Sequence, residues 1–174
     1  SDFNYGCLPQ SLVDEIVDAC RSQKVLMVGD SQSSSQVGDV SRFKDMMLLT
    51  PTEREARLSL GDFSSGLVVI AEKLRKKSRA KNIIVTLGAE GLLAHAAPKT
   101  NDEWPSDRLP ALNGAPKDPA GAGDSLLACC SMSLAVGADI WQSMYLGSLA
   151  AACQVGRVGN IPLSPHDIAS ELAD

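Results

Sequence analysis

Apolar positions in residues 10–21 fall at Leu12, Val13, Ile16, Val17 and Cys20. That spacing puts them on one face of a helix. Lys24 to Asp30 is a short apolar run closed by Gly29 and Asp30, which predicts a buried strand. Residues 31–41 are rich in Ser, Gln and Gly and predict a loop. Met46 to Leu49 reads as a second apolar strand. Thr50-Pro51-Thr52 ends it and opens a helix carrying Glu53, Glu55 and Arg57. Residues 64–79 predict an amphipathic helix with Lys73, Arg75, Lys76, Lys77 and Arg79 near its end. Cations there suit the negative end of the helix dipole and predict a solvated face rather than a binding patch.

Asn82 to Leu87 is a β-branched run and predicts a third buried strand, with Gly91 to Ala97 as a hairpin partner. Residues 98–118 hold four of the nine prolines and show no periodicity, so a long irregular connection is expected. Gly121 to Val136 and Asp139 to Val155 are apolar and rich in small residues, and predict two buried helices. Ser164-Pro165 predicts a short last helix with Ser164 as its cap. Short apolar strands between longer helices predict an α/β fold, a largely parallel sheet sandwiched by helices. One domain over residues 1–174 is the expectation for this length.

Composition narrows the function classes. Over 174 residues, 16 Lys and Arg stand against 21 Asp and Glu, a formal charge of -5. Nucleic acid is therefore an unexpected partner, because phosphate backbones select a concentrated positive field. No apolar run reaches the ~20 residues of a bilayer span, so a membrane is not expected either. No basic stretch followed by an apolar run predicts a secretory leader. Cysteines at 7, 20, 129, 130 and 153 are odd in number and form no C-x-x-C pair. Buried small hydrophobes in a reducing cytoplasm are the expectation. His95 and His166 are too few and too isolated to predict a zinc site.

The segment richest in chemistry is Asp118-Pro119-Ala120-Gly121-Ala122-Gly123-Asp124, between the proline-rich connection and an apolar helix. Glycines let backbone N–H groups approach a ligand with no Cβ in the way. A helix start adds unpaired N–H donors and a partial positive charge. Together these suit a phosphate, or charge developing on one. Asp124, in the first turn, suits a proton acceptor for a hydroxyl beside that anion hole. A second reading stands beside it: Gly-Ala-Gly serves close helix packing, and Asp124 merely caps. The segment is not a dinucleotide fingerprint, since Leu126 fills the third glycine position. Gly61 to Gly66 is not a Walker loop, since Leu67 follows rather than Lys.

DPAGAGD ahead of an apolar helix resembles the D-T-x-G-A-G-D signature of PfkB, or ribokinase-like, carbohydrate kinases. Three more segments follow the family's order. TPTEREAR (50–57) is similar to its T-P-N-x-x-E-A segment, and VTLGAEG (85–91) resembles its V-T-x-G-x-x-G strand and turn. LGSLAAACQVGRVGNIPLSP (146–165) resembles its late Ala-rich helix and closing segment. The opening SDFNYG is similar to the S-D-Y-x-K-G segment of kinases acting on heptose 7-phosphate. Thr52 stands where the family usually has Asn, and Tyr5 where it has Lys.

The resemblance implies roles by position. Asp124 would be the base that activates the sugar hydroxyl. The backbone of Gly121, Ala122 and Gly123 would hold the transferred phosphoryl group. Glu55 would help organise magnesium. Thr86, Gly88 and Gly91 would lie against the nucleotide, and Ser148 near the adenine. The implied cofactors are ATP and Mg2+, with K+ a further candidate at the anion hole. The implied substrate is a sugar or sugar phosphate. The resemblance covers the C-terminal, nucleotide-binding half of such kinases, with the N-terminal half and lid absent. Self-association or pairing with that missing half is therefore expected. The alternative is a nucleotide-binding regulatory protein that transfers no phosphate. From the residues alone, Glu55 reads as a solvated first-turn glutamate, and Gly88 and Gly91 read as a plain turn.

Overall fold

The computed structural model describes residues 1–32, 38–96 and 105–173. Among the described residues there are six α-helices and five short strands. They are α1 (Gln10–Ser22), β1 (Val28–Gly29), β2 (Leu48–Leu49), α2 (Glu53–Leu60), α3 (Leu67–Ser78), β3 (Asn82–Thr86), β4 (Leu92–His95), β5 (Ser106–Leu109), α4 (Ala122–Ala135), α5 (Ile140–Val155) and α6 (Pro165–Ala173). The strands make one sheet in the order β1-β2-β3-β4-β5. β1 and β2 pair in parallel, as do β2 and β3. The expected α/β fold with a largely parallel sheet is what the chain adopts.

Residues cluster into two compact units: Ser1–Leu87 with Leu93–Asp107, and Gly88–Leu92 with Arg108–Asp174. In the first, Leu49, Ile83 and Val85 from the strands meet Ile70, Ala71 and Leu74 of α3, Ala56 of α2, and Val13 and Val17 of α1. The apolar face expected for α1 is used only in part: Val13 and Val17 are buried, whereas Leu12 and Ile16 of the same expected face are exposed. In the second unit, α4 and α5 pack on each other. A Cβ at Gly147 of α5 would overlap Cys130 Sγ, so glycine there permits the close approach. Burial pushes the Cys130 thiol up to about 12.

Several expectations need correcting. The strand over 24–30 contracts to Val28–Gly29, because Lys24 adopts φ +56° and completes the end of α1. The N–H groups of Lys24 and Val25 bond back to Arg21 and Cys20 carbonyls. α3 begins at Leu67, not 64, because the Asp62 carboxylate captures the N–H groups of Ser64 and Ser65 in a turn. The connection over 98–118 contains β5; its residues 98–104, and Ala97 of the expected hairpin partner, lie outside the described residues. α4 and α5 are not buried all round: Met132 of α4 is 62% and Tyr145 of α5 45% exposed. Of the cysteines, only Cys129 and Cys130 are buried; Cys7 is exposed, and all five are free thiols.

The cations of α3 form a solvated face in which Lys73 meets Asp62, Arg75 and Lys76 meet Glu72, Lys77 meets Asp39, and Arg79 meets Asp45. Ser164 caps α6 as expected, accepting the N–H of Asp167 at 3.3 Å. Among the described residues, no helix is long and apolar enough to cross a membrane.

His95 is only 2% exposed, and both its ring nitrogens are used. Nδ1 lies 2.7 Å from Ser106 Oγ, and Nε2 lies 2.9 Å from Glu72 Oε2. Arg75, then His95 and Lys76, hold the Glu72 carboxyl down to about 2. A depressed carboxyl stabilises the fold above its unfolded value and ceases to as pH falls through the folded value. Chemical denaturation should therefore show stability falling between about pH 4.5 and about pH 2. Glu72→Gln should flatten that part of the profile.

Candidate functional site

Parallel strands carry ligand-binding residues past their C-terminal ends. In the first unit, Thr86 closes β3 and bridges in parallel to Thr52, just past β2. Thr52 is the N-cap of α2. Its side chain accepts the N–H of Glu55 at 3.2 Å, and Glu55 Oε2 accepts the N–H of Thr52 at 2.7 Å. This reciprocal capping box satisfies two donors that a helix start leaves open. Glu55 is 8% exposed, so it is a buried capping glutamate rather than a solvated one. Thr52, the departure from the family pattern, builds that cap.

The remaining predicted residues lie in the second unit. Gly121 is the N-cap of α4 at φ +77°, and no side chain caps the helix. A Cβ at Gly121 would overlap the Asn160 carboxamide, so two features demand glycine there. Gly123 differs: its backbone is helical, and a Cβ there would meet nothing within 4 Å. Neither packing nor conformation calls for glycine at 123, so the close-packing reading does not account for it. Asp124 is the third helical residue and is exposed; it is not the cap. The start of α4, with no side-chain cap, favours an anion, and Asp124 sets an exposed carboxylate beside it.

Behind this loop lies a brace that sequence reasoning missed. The Asp118 carboxylate accepts the N–H of Ala120 at 3.0 Å and of Gly159 at 3.0 Å. Those two donors hold its carboxyl below the usual range. Gln154, 1% exposed, donates from Nε2 toward the carbonyls of Ala120 at 3.4 Å and Gly159 at 3.3 Å. Gln154 and Ala120 are 34 positions apart in the chain, and Asp118 and Gly159 are 41 apart.

Gly91, at φ +92°, abuts the backbone of Leu109 and Ala111, where a Cβ would overlap. Gly88, at φ +60°, has open space around it. Ser148 is buried on α5. Glu55 and Thr86 therefore belong to the first unit, and the Gly-Ala-Gly-Asp segment, Gly88, Gly91 and Ser148 to the second.

Residues 3–167 match the family described as "pfkB family carbohydrate kinase". The chain belongs to the pfkB family. Among curated relatives, this pfkB chain is 29% identical to the bifunctional protein HldE of Campylobacter concisus, over 97% of this chain and 34% of that one. It is 28% identical to HldE of Desulfatibacillum aliphaticivorans, over 100% of this chain and again 34% of that protein. The chain thus spans about a third of the length of these relatives.

Solved pfkB-fold kinases agree on the architecture. Phosphofructokinase-2 from Escherichia coli, in complex with substrates and products, superposes with a TM-score of 0.77 at 18% identity. That match covers 96% of this chain and 53% of that chain. Arabidopsis thaliana ribokinase complexed with ribose and ATP also gives 0.77, at 19% identity, covering 94% and 53%.

Proposed function

We propose that the protein is an ATP-dependent kinase that phosphorylates a sugar hydroxyl, with heptose 7-phosphate as the first acceptor to try. One observation carries the reading. The start of α4 joins an uncapped helix N-terminus, a glycine at 123 with no structural requirement, and an exposed Asp124. Phosphoryl transfer is mostly positioning and charge neutralisation, which is what these groups supply.

In this reading Asp124 takes the proton of the attacking hydroxyl. The N–H groups of Gly123 and Asp124 hold the equatorial oxygens as the γ-phosphoryl group moves in line; that of Ala122 already donates to the Pro119 carbonyl at 3.3 Å. Thr86, Gly88 and Gly91 approach the nucleotide, and Ser148 lies behind the adenine. Glu55 fits magnesium, which takes one or two carboxylates and keeps several waters. Its Oε2 is engaged by Thr52. Magnesium, when bound, would neutralise charge on the phosphate oxygens. Potassium is a further candidate cation beside the anion hole. Residues beyond these 174 would supply most of the sugar contacts, from a further segment or a second copy. Five free thiols suit a reducing cytoplasm.

The test is ADP release from Mg-ATP with heptose 7-phosphate, against a panel of free sugars and with EDTA added. Acceptor-dependent, EDTA-sensitive release is expected. A second reading, nucleotide binding without transfer, is favoured by the commitment of Glu55 to the Thr52 cap. It predicts Mg-ATP binding with no release on any acceptor.

A further inference from the structure

Ala120 and Gly159 each have their backbone N–H and their backbone carbonyl held by the same two side chains. Asp118 accepts both N–H groups, and Gln154 donates toward both carbonyls. Ala120 directly precedes the Gly121 N-cap, and Gly159 directly precedes Asn160, whose carboxamide covers Gly121. The two loops are thus cross-linked immediately behind the anion hole. The brace extends further: the N–H groups of Lys117 and Asp118 both donate to the Val155 carbonyl. Gln154 is the most informative member. A buried carboxamide is costly unless its polar atoms find partners, and the partners here are backbone groups of the two loops.

We propose that Asp118 and Gln154 are positioning residues that fix the α4 N–H groups for the moving phosphoryl group. This rests on the function proposed above. The physical reason is preorganisation. Backbone N–H groups stabilise developing charge only when held within a fraction of an ångström of their working position. Glycine-containing loops do not hold themselves there, because glycine adds conformational freedom. A clamp that grips the N–H and the carbonyl of two residues restrains the peptide groups on either side of each without touching the ligand.

The experiment compares Gln154→Leu, Asp118→Asn and the double variant with the wild-type protein. Leucine keeps most of the volume of Gln154 and removes both N–H donors. Asparagine at 118 turns one acceptor into a donor facing an N–H. Two quantities are read beside thermal unfolding: kcat and KM for Mg-ATP, and the affinity for Mg-ADP with aluminium fluoride relative to Mg-ADP alone. A loop misplaced by about 1 Å should lower kcat about 10- to 100-fold. KM should stay within about threefold, because ground-state binding is not what the clamp serves. The aluminium fluoride preference should fall with kcat. The double variant should lose little more than the worse single one, as groups acting as a unit do.

Folded variants with wild-type kcat and wild-type aluminium fluoride preference would overturn the clamp and leave the kinase reading standing. Parallel changes in kcat, KM and melting temperature would also overturn it, as the mark of a merely structural role. A wild-type protein with neither transfer nor aluminium fluoride preference would overturn the kinase reading, and the clamp with it.

Discussion

Asp124→Asn should lower kcat by about 100- to 10,000-fold, the usual worth of a positioned general base. Binding of Mg-ATP should change far less, because asparagine keeps the shape and removes only the capacity to take a proton. The structure gives this variant a clean background. Asp124 is exposed, and the α4 N-cap is Gly121, so the carboxylate does not close the helix. The melting temperature should therefore move little. Steady-state turnover with parallel calorimetry of Mg-ATP binding checks both halves. A variant that keeps a tenth or more of wild-type turnover, on the order of what a mere surface charge change allows, would remove Asp124 from the role of base.

The second large effect separates two glycines two positions apart. Gly123→Ala should stabilise the fold by up to about 1 kcal/mol, since alanine is the better helix residue. Its methyl group enters open space. The same methyl group would stand before the N–H donors of the α4 start, so turnover should fall about 100-fold or more. Gly121→Ala should act in the opposite sense on stability. Gly121 sits at φ +77° against the Asn160 carboxamide, and the left-handed conformation alone costs a non-glycine residue about 1–2 kcal/mol. Urea unfolding and turnover, measured on both variants, give the two signs. A Gly123→Ala protein that is both more stable and fully active would detach the anion hole from this segment.

Much of this architecture was legible where the signal is local. Apolar spacing placed α1, the Thr-Pro-Thr stop located the start of α2, and apolar small-residue runs placed α4 and α5, each within a few residues. The PAGAGD run could be read as a helix start because glycine and a following apolar stretch are adjacent in sequence. What escaped was set by distant partners. β5 carries Asp107 and Arg108 and no β-branched residue, so nothing in Ser106–Leu109 signals a strand. Lys24 ends α1 in a left-handed turn that apolar patterning cannot express. Gln154 reads as one more helical residue until the fold brings it to Ala120 and Gly159. The small-residue pattern of α4 and α5 predicted enclosure on all sides, but within this chain each meets chiefly the other, leaving Met132 and Tyr145 outside.

The capping box on α2 has a consequence for ligand entry. A free glutamate samples many rotamers, and freezing it costs up to about 2 kcal/mol in lost side-chain entropy. Glu55 has already lost that freedom, because Oε2 is tied to the Thr52 backbone as a condition of starting the helix. An incoming cation would meet a carboxylate whose ordering was settled during folding, so that entropy cost would not be subtracted from its binding.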